Sequence, residues 1–218
     1  MYDLVIFDMD GVILDSGLNN FLWMDRVRMK KAEEMGYKFT KQDSIQVVKA
    51  TQISQVEELL DRKNMSLDEL LAIEHAVQET KNKFIEEGVI RLFPEAYTLI
   101  EGLDVPVALA TNSPWKTVQH TLDYFELRGK FNVIQSLKLD DFEHYIQNKK
   151  PHSYMLETAI SETGAETPIM IGDTSADVNA ARNAGVDSVL VQSYTDGEDL
   201  EPTYRIRELT ELRSIINQ

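Results

Sequence analysis

The sequence predicts an α/β protein: a doubly wound parallel sheet carrying an inserted α-helical domain. Three observations predict it. Short apolar runs rich in Val, Ile, Leu or Ala recur at 2–7, 105–110, 131–135, 168–171 and 188–192, each ending in polar residues. Continuous runs of this kind are strands buried on both faces, as in a parallel sheet. Segments with helical periodicity at 115–125, 152–163 and 176–184 alternate with the later runs, which is the pattern of a doubly wound domain. Finally, a charged stretch from about Asp15 to Gly88, without Pro and nearly free of β-branched runs, separates the first run from the second. It is too long for a simple crossover and is read as a helical domain over the strand ends.

Within that stretch the pattern predicts helices over 19–36, 43–62 and 66–87. Ser66 followed by Glu69 suits a capping box, and Gly36 and Gly88 suit helix stops. The expected division is a core of 1–14 and 89–218 and a helical cap of 15–88.

Composition narrows the partners. A chain that is 43% hydrophobic is globular, and a formal net charge of −15 disfavours nucleic acid and anionic membranes, whose binding begins with clustered Lys and Arg. No apolar run approaches the roughly 18 residues of a membrane helix. The N-terminus, with Asp3 in place of a basic flank, does not read as a secretory signal, and a cytoplasmic location is expected. The absence of Cys excludes thiolate nucleophiles and disulfides. A small anionic ligand is compatible with the acidic envelope if a metal ion and one or two basic side chains make a local positive site.

In open α/β sheets ligands bind beyond the carboxyl ends of the strands, so chemistry is sought there. The first run ends in Phe7-Asp8-Met9-Asp10-Gly11. Two carboxylates so placed are costly unless a cation joins them, and Mg²⁺ with its oxygen ligands answers that cost; capping of a turn ahead of Gly11 is the alternative use. The fourth run ends in Gly172-Asp173-Thr174-Ser175-Ala176-Asp177, offering a third acid or, equally, acids at a helix start. The second run leads into Thr111-Asn112-Ser113-Pro114, whose hydroxyl and amides suit phosphoryl oxygens or a helix cap. Lys149-Lys150-Pro151 supplies two candidate lysines, or a solvated loop.

Taken in order, these four segments resemble the haloacid dehalogenase superfamily and, within it, the aspartate-nucleophile phosphatases with a small helical cap. The resemblance covers residues 1–14 and about 89–193. It implies that Asp8 attacks phosphorus and that Asp10 protonates the leaving alcohol and then deprotonates water. It further implies that Asp8, the backbone carbonyl of Asp10 and Asp173 hold Mg²⁺, with Asp177 in support. Thr111 and the Asn112 amide would bind a transferring oxygen, and Lys150 would offset negative charge. Two departures stand out: the link 137–148 is longer than usual, which leaves Lys149 competing with Lys150, and Ser153 replaces a frequent second proline. Lys150 is preferred because it directly precedes Pro151.

Asp10 argues against a dehalogenase or a phosphonatase. A β-phosphoglucomutase-like mutase is the close alternative, but Asn20 stands where such mutases carry His, and no Arg occurs around Lys49–Ile53. A noncatalytic binding protein of this fold would be expected to have lost one of the four key residues. The expected activity is therefore Mg²⁺-dependent hydrolysis of a small phosphorylated metabolite. Asn20, Trp23 and Lys49 are the cap residues expected to touch it.

Overall fold

The computed structural model describes residues 1–17, 21–191 and 200–216. The chain opens with strand β1 (Leu4–Phe7) and a two-residue strand β2 (Leu14–Asp15). Four helices follow: α1 (Leu22–Glu34), α2 (Lys41–Lys49), α3 (Ile53–Lys63) and α4 (Leu67–Glu86). The short β3 (Arg91–Leu92) then pairs antiparallel with β2 in the register Leu14 to Leu92 and Asp15 to Arg91. After it come α5 (Ala96–Glu101), β4 (Val107–Thr111), α6 (Trp115–Tyr124), β5 (Val133–Ser136), α7 (Phe142–Asn148) and α8 (Tyr154–Thr163). The chain closes with β6 (Pro168–Gly172), α9 (Ser175–Ala184), β7 (Asp187–Val191), β8 (Tyr204–Ile206) and α10 (Leu212–Ile216).

The main sheet has the order β5-β4-β1-β6-β7-β8, and every pairing in it is parallel. All five strands expected from the apolar runs are present, with ends shifted by a residue or two. Side chains alternate across β1: Val5 and Phe7 enter one apolar layer with Leu109, Val118 and Leu212, whereas Leu4 and Ile6 enter the other with Met155, Leu156 and Ala180. Both faces are covered, which is why the strands read as unbroken apolar runs.

The inserted helices pack around their own cluster of Ala32, Phe39, Val47, Val56, Leu59, Leu70 and Ile73. Two details differ from the sequence reading. The helix expected over 43–62 is two helices, α2 and α3, separated where Ala50 turns extended (ψ 131°). No Gly or Pro marks this break; the Gln55 side chain makes it, accepting from the backbone N–H of Thr51 (2.7 Å) and of Gln52 (3.0 Å) and so capping α3. The long link 137–148, for which no element was expected, holds one in its second half. Residues 142–148 fold as α7, and Phe142 and Ile146 enter the apolar cluster of the inserted helices.

The Ser66–Glu69 capping box is present: Glu69 accepts from the Ser66 N–H at 2.8 Å. Thr40 and Asp43 do the same for α2, and Asp43, almost wholly buried, also meets Lys63 at 2.7 Å and Arg62 at 3.0 Å. Burial opposes ionisation of Asp43, but Lys63 and Thr40 outweigh it and hold the carboxyl down at about 2. A depressed carboxyl stabilises the fold above the ordinary range near 4, and that contribution is lost as pH falls from about 4 toward 2. Asp43→Asn should therefore cost about 1–2 kcal/mol at neutral pH, with the gap to the parent closing at acid pH. Denaturant melts at both pH values check it; an equal gap at each would assign the loss to packing.

Candidate active site

The sequence places acids after β1 and β6 and polar residues after β4, and the sheet order sets these three strands side by side at the point where the chain reverses its direction of winding. Asp8, Asp10, Thr111, Asn112, Lys150, Asp173 and Asp177 all line one cavity of about 770 Å³. Ligand sites of open α/β sheets lie in this crevice.

Lys150 is at its centre. Its buried ammonium lies 2.8 Å from Asp8 Oδ1 and 2.6 Å from Asp177 Oδ1, and donates to the Ala110 carbonyl at 2.8 Å. These partners hold its pKa well above the ordinary value against the effect of burial. Asn112 fixes the lysine from behind: its side-chain oxygen accepts from the Lys150 N–H (2.8 Å), and its side-chain nitrogen donates to the Lys150 carbonyl (3.0 Å). Lys149 turns the other way. It donates to the carbonyls of Val47 (3.3 Å) and Val48 (2.9 Å) at the end of α2, and its ammonium lies 5.5 Å from the centre of the Tyr145 ring. Burial pushes Lys149 down to about 8.

Asp177 spends its second oxygen on the start of α9, accepting from the Thr174 N–H (3.0 Å) and hydroxyl (2.6 Å). Oxygens of Asp8, Asp173 and Asp177 approach within 4.8 Å of one another. Burial, only partly offset by Lys150, raises Asp8 to about 7; burial and then the neighbouring Asp177 and Asp8 raise Asp173 to about 9. Two glycines permit the crowding. A Cβ on Gly11 (φ +79°) would fall 1.9 Å from Asp173 Oδ2, and one on Gly172 would fall 2.1 Å from Asp177 Cβ.

Asp10 has a cation that the sequence reading missed. Lys81, 1% exposed on α4, meets Asp10 Oδ1 and Oδ2 at 2.6 Å each and Ser113 Oγ at 2.8 Å, while Ser113 donates to Asp10 at 2.7 Å. Burial would raise the Asp10 carboxyl, but Lys81 outweighs it and the net shift is downward. The signal was present: Lys81 falls on the apolar stripe Leu70, Ile73, Val77, Ile85, where a solvated lysine does not belong. Glu74 lies on the same buried face and pairs with Arg28 of α1, which donates to it at 2.7 and 2.9 Å.

Counted as ionised, Asp8, Asp10, Asp173 and Asp177 face two ammonium groups, Lys81 and Lys150. A divalent cation closes that difference, and an all-oxygen donor set suits a hard ion such as Mg²⁺. The residues present thus fit the metal.

Thr111 is buried at the end of β4, its hydroxyl accepting from the Ser113 N–H at 3.1 Å. Of the cap candidates, Lys49 lines the cavity and is exposed. Trp23 does not line it: the indole packs edge-on against Phe84 (5.3 Å) and donates to the Ser16 carbonyl at 3.1 Å, which makes it a packing residue at the base of the insertion. Asn20 lies outside the described residues. Among the described residues no helix is long and apolar enough to cross a membrane.

Comparison with known proteins agrees with this geometry. Residues 5–191 match the haloacid dehalogenase-like hydrolase family. The chain is 26% identical to pyrophosphatase PpaX of Halalkalibacterium halodurans, over 97% of this chain and 95% of that protein. It is likewise 26% identical to phosphoglycolate phosphatase of Escherichia coli, over 90% and 84% of the two chains. In fold it is similar to CbbY of Rhodobacter sphaeroides, solved in complex with phosphate, with a TM-score of 0.75 at 19% identity over 97% and 96% of the chains. With a family match spanning most of its length, and three of the site segments at adjacent strand ends with Lys150 brought among them, the chain belongs to the haloacid dehalogenase-like hydrolase family.

Proposed function

We propose that this protein is a Mg²⁺-dependent phosphatase that hydrolyses a small organic phosphate monoester through an aspartyl-phosphate on Asp8. The observation that carries the reading is the placement of a buried ammonium, Lys150, 2.8 Å from Asp8 Oδ1 beneath an open cavity that also exposes Asp10. A nucleophilic carboxylate beside a fixed cation, with a second acid two residues on, is what attack on a phosphate dianion requires.

On this reading Asp8, the backbone carbonyl of Asp10 and Asp173 hold Mg²⁺. When bound, the ion neutralises charge on the phosphoryl oxygens and on the nucleophile. An oxygen of Asp8 forms a bond to phosphorus as the bond to the ester oxygen breaks, and Asp10, ionised at rest beside Lys81, takes up a proton from solvent and passes it to the departing alkoxide. Water then attacks the aspartyl-phosphate, Asp10 takes the proton, and phosphate leaves with Asp8 restored. Lys150, steered by Asp177, offsets charge on the nucleophile throughout. Thr111 and the Asn112 amide receive a phosphoryl oxygen. Residues 15–88 act as the cap over a core of 1–14 and 89–218, and Lys49, at the cavity wall, helps draw the dianion in.

The sequence similarity to a pyrophosphatase and a phosphoglycolate phosphatase supports phosphate chemistry. The test is release of inorganic phosphate from a panel of monoesters with Mg²⁺ and with chelator. Release that needs the metal is expected; equal release in chelator would remove Mg²⁺ from the mechanism.

A further inference from the structure

In an unbroken helix the carbonyls of Val47 and Val48 would accept from the N–H groups of Thr51 and Gln52, four residues on. Here the chain turns extended at Ala50, and those two N–H groups are taken by the Gln55 side chain at 2.7 and 3.0 Å. The break between α2 and α3 is thereby satisfied on its donor side from within the insertion. Two acceptors at the end of α2 are left over.

The core fills them. Lys149, 4% exposed, donates to the Val48 carbonyl at 2.9 Å and to the Val47 carbonyl at 3.3 Å. Its charge rests on the negative end of the α2 dipole and on the face of Tyr145. Three residues on, His152 Nε2 lies 3.2 Å from the Thr51 carbonyl oxygen. Between these two contacts Lys150 holds Asp8. Asn112 grips the Lys150 backbone and Asn183 donates to the Pro151 carbonyl at 2.8 Å, so the segment is anchored in the core while two of its side chains reach the insertion. Ile45, Val48, Lys49, Ala50 and Thr51 all line the large cavity. Where the end of α2 sits therefore sets the shape of that wall.

We propose that the break between α2 and α3 is a socket by which the core seats the insertion, and that Lys149 is the positioning residue that fills it. It would fix the α2 wall of the cavity relative to Asp8 from the position next to Lys150. The kinetic consequence rests on the phosphatase reading. Without the seat, α2 is docked for a smaller fraction of the time and the substrate must itself favour docking. Apparent affinity then falls by the factor by which the docked population falls, whereas the rate from the docked complex is kept.

Lys149→Met keeps the stem and removes the donors. With Mg²⁺ its KM for p-nitrophenyl phosphate is expected to rise about tenfold, the size of two lost hydrogen bonds, with kcat within about threefold of the parent. Gln55→Ala tests the socket from its other side. Gln55 is exposed on α3, away from the cavity lining; without its side chain the Thr51 and Gln52 N–H groups are free to close the helix onto the Val47 and Val48 carbonyls and take them from Lys149. The same rise in KM is expected. Backbone amide exchange of Lys149→Met without substrate is expected to quicken over 45–52 and to stay unchanged in α9 and the main sheet. A fall in kcat at unchanged KM would show that Lys149 acts through Lys150 and would overturn the proposal, as would an unchanged KM in Gln55→Ala or exchange that quickens evenly along the chain. If the parent releases phosphate from neither p-nitrophenyl phosphate nor the monoester panel, the phosphatase reading fails and the exchange pattern alone decides the socket.

Discussion

Asp8→Asn is expected to reduce phosphate release by about 10⁴-fold or more while the protein stays folded. The side chains are nearly isosteric, but the amide has no anionic oxygen to bond to phosphorus, and losses of a covalent nucleophile in other hydrolases reach this size. Stability is expected to move the other way. Asp8 is one of three buried carboxylates whose oxygens crowd within 4.8 Å, with Lys150 the cation among them. Removing one negative charge relieves repulsion, so in chelator the variant should melt no lower than the parent. Phosphate release and thermal melts on the same preparation check both halves. A residual rate within tenfold of the parent would take the nucleophile's role from Asp8, and a lower melting temperature would contradict the repulsion argument.

Lys150→Met is expected to show the opposite pairing of effects. The methionine keeps the length of the stem but leaves Asp8, Asp177 and the Ala110 carbonyl without the ammonium they share. Removing one partner of a buried pair typically costs about 3–5 kcal/mol, because the remaining charge is stranded. The loss of a fixed cation beside the reacting groups should lower kcat by about 10²–10³-fold. Measured well below the variant's melting temperature, kcat isolates the chemical part. A kcat within threefold of the parent would reduce Lys150 to a structural residue.

How much of this was legible varied with the physics of each segment. The strand-end acids could be read because a fully apolar run that stops on Asp, as at Phe7-Asp8 and Gly172-Asp173, has few structural uses for that charge. The five sheet strands were legible for the same reason. The break between α2 and α3 was not, since its cause is a glutamine side chain reaching back to two N–H groups in place of any Gly or Pro. Nor could spacing decide between Lys149 and Lys150. Neighbours along an extended stretch point to opposite sides, and only the Asn112 clamp, made by the residue just after β4, fixes which one faces Asp8. Arg28 and Lys81 hid among the many charges of the insertion, although Lys81 and Glu74 break an otherwise apolar helical stripe. β8 gave no warning, being three residues long with one of them exposed.

The pairing of β2 with β3 has a consequence for how this chain relates to shorter and longer versions of itself. Leu14 lies opposite Leu92, and Asp15 opposite Arg91, so the two ends of everything between them are about one strand spacing, roughly 5 Å, apart. To the core, the whole intervening stretch is an overgrown hairpin loop. Its contents can lengthen, shrink or be exchanged without altering strand order, register or the acids at the strand ends. That freedom stops at Lys81: the cation that meets Asp10 is carried on α4, so exchanging the insertion also exchanges the partner of a strand-end acid.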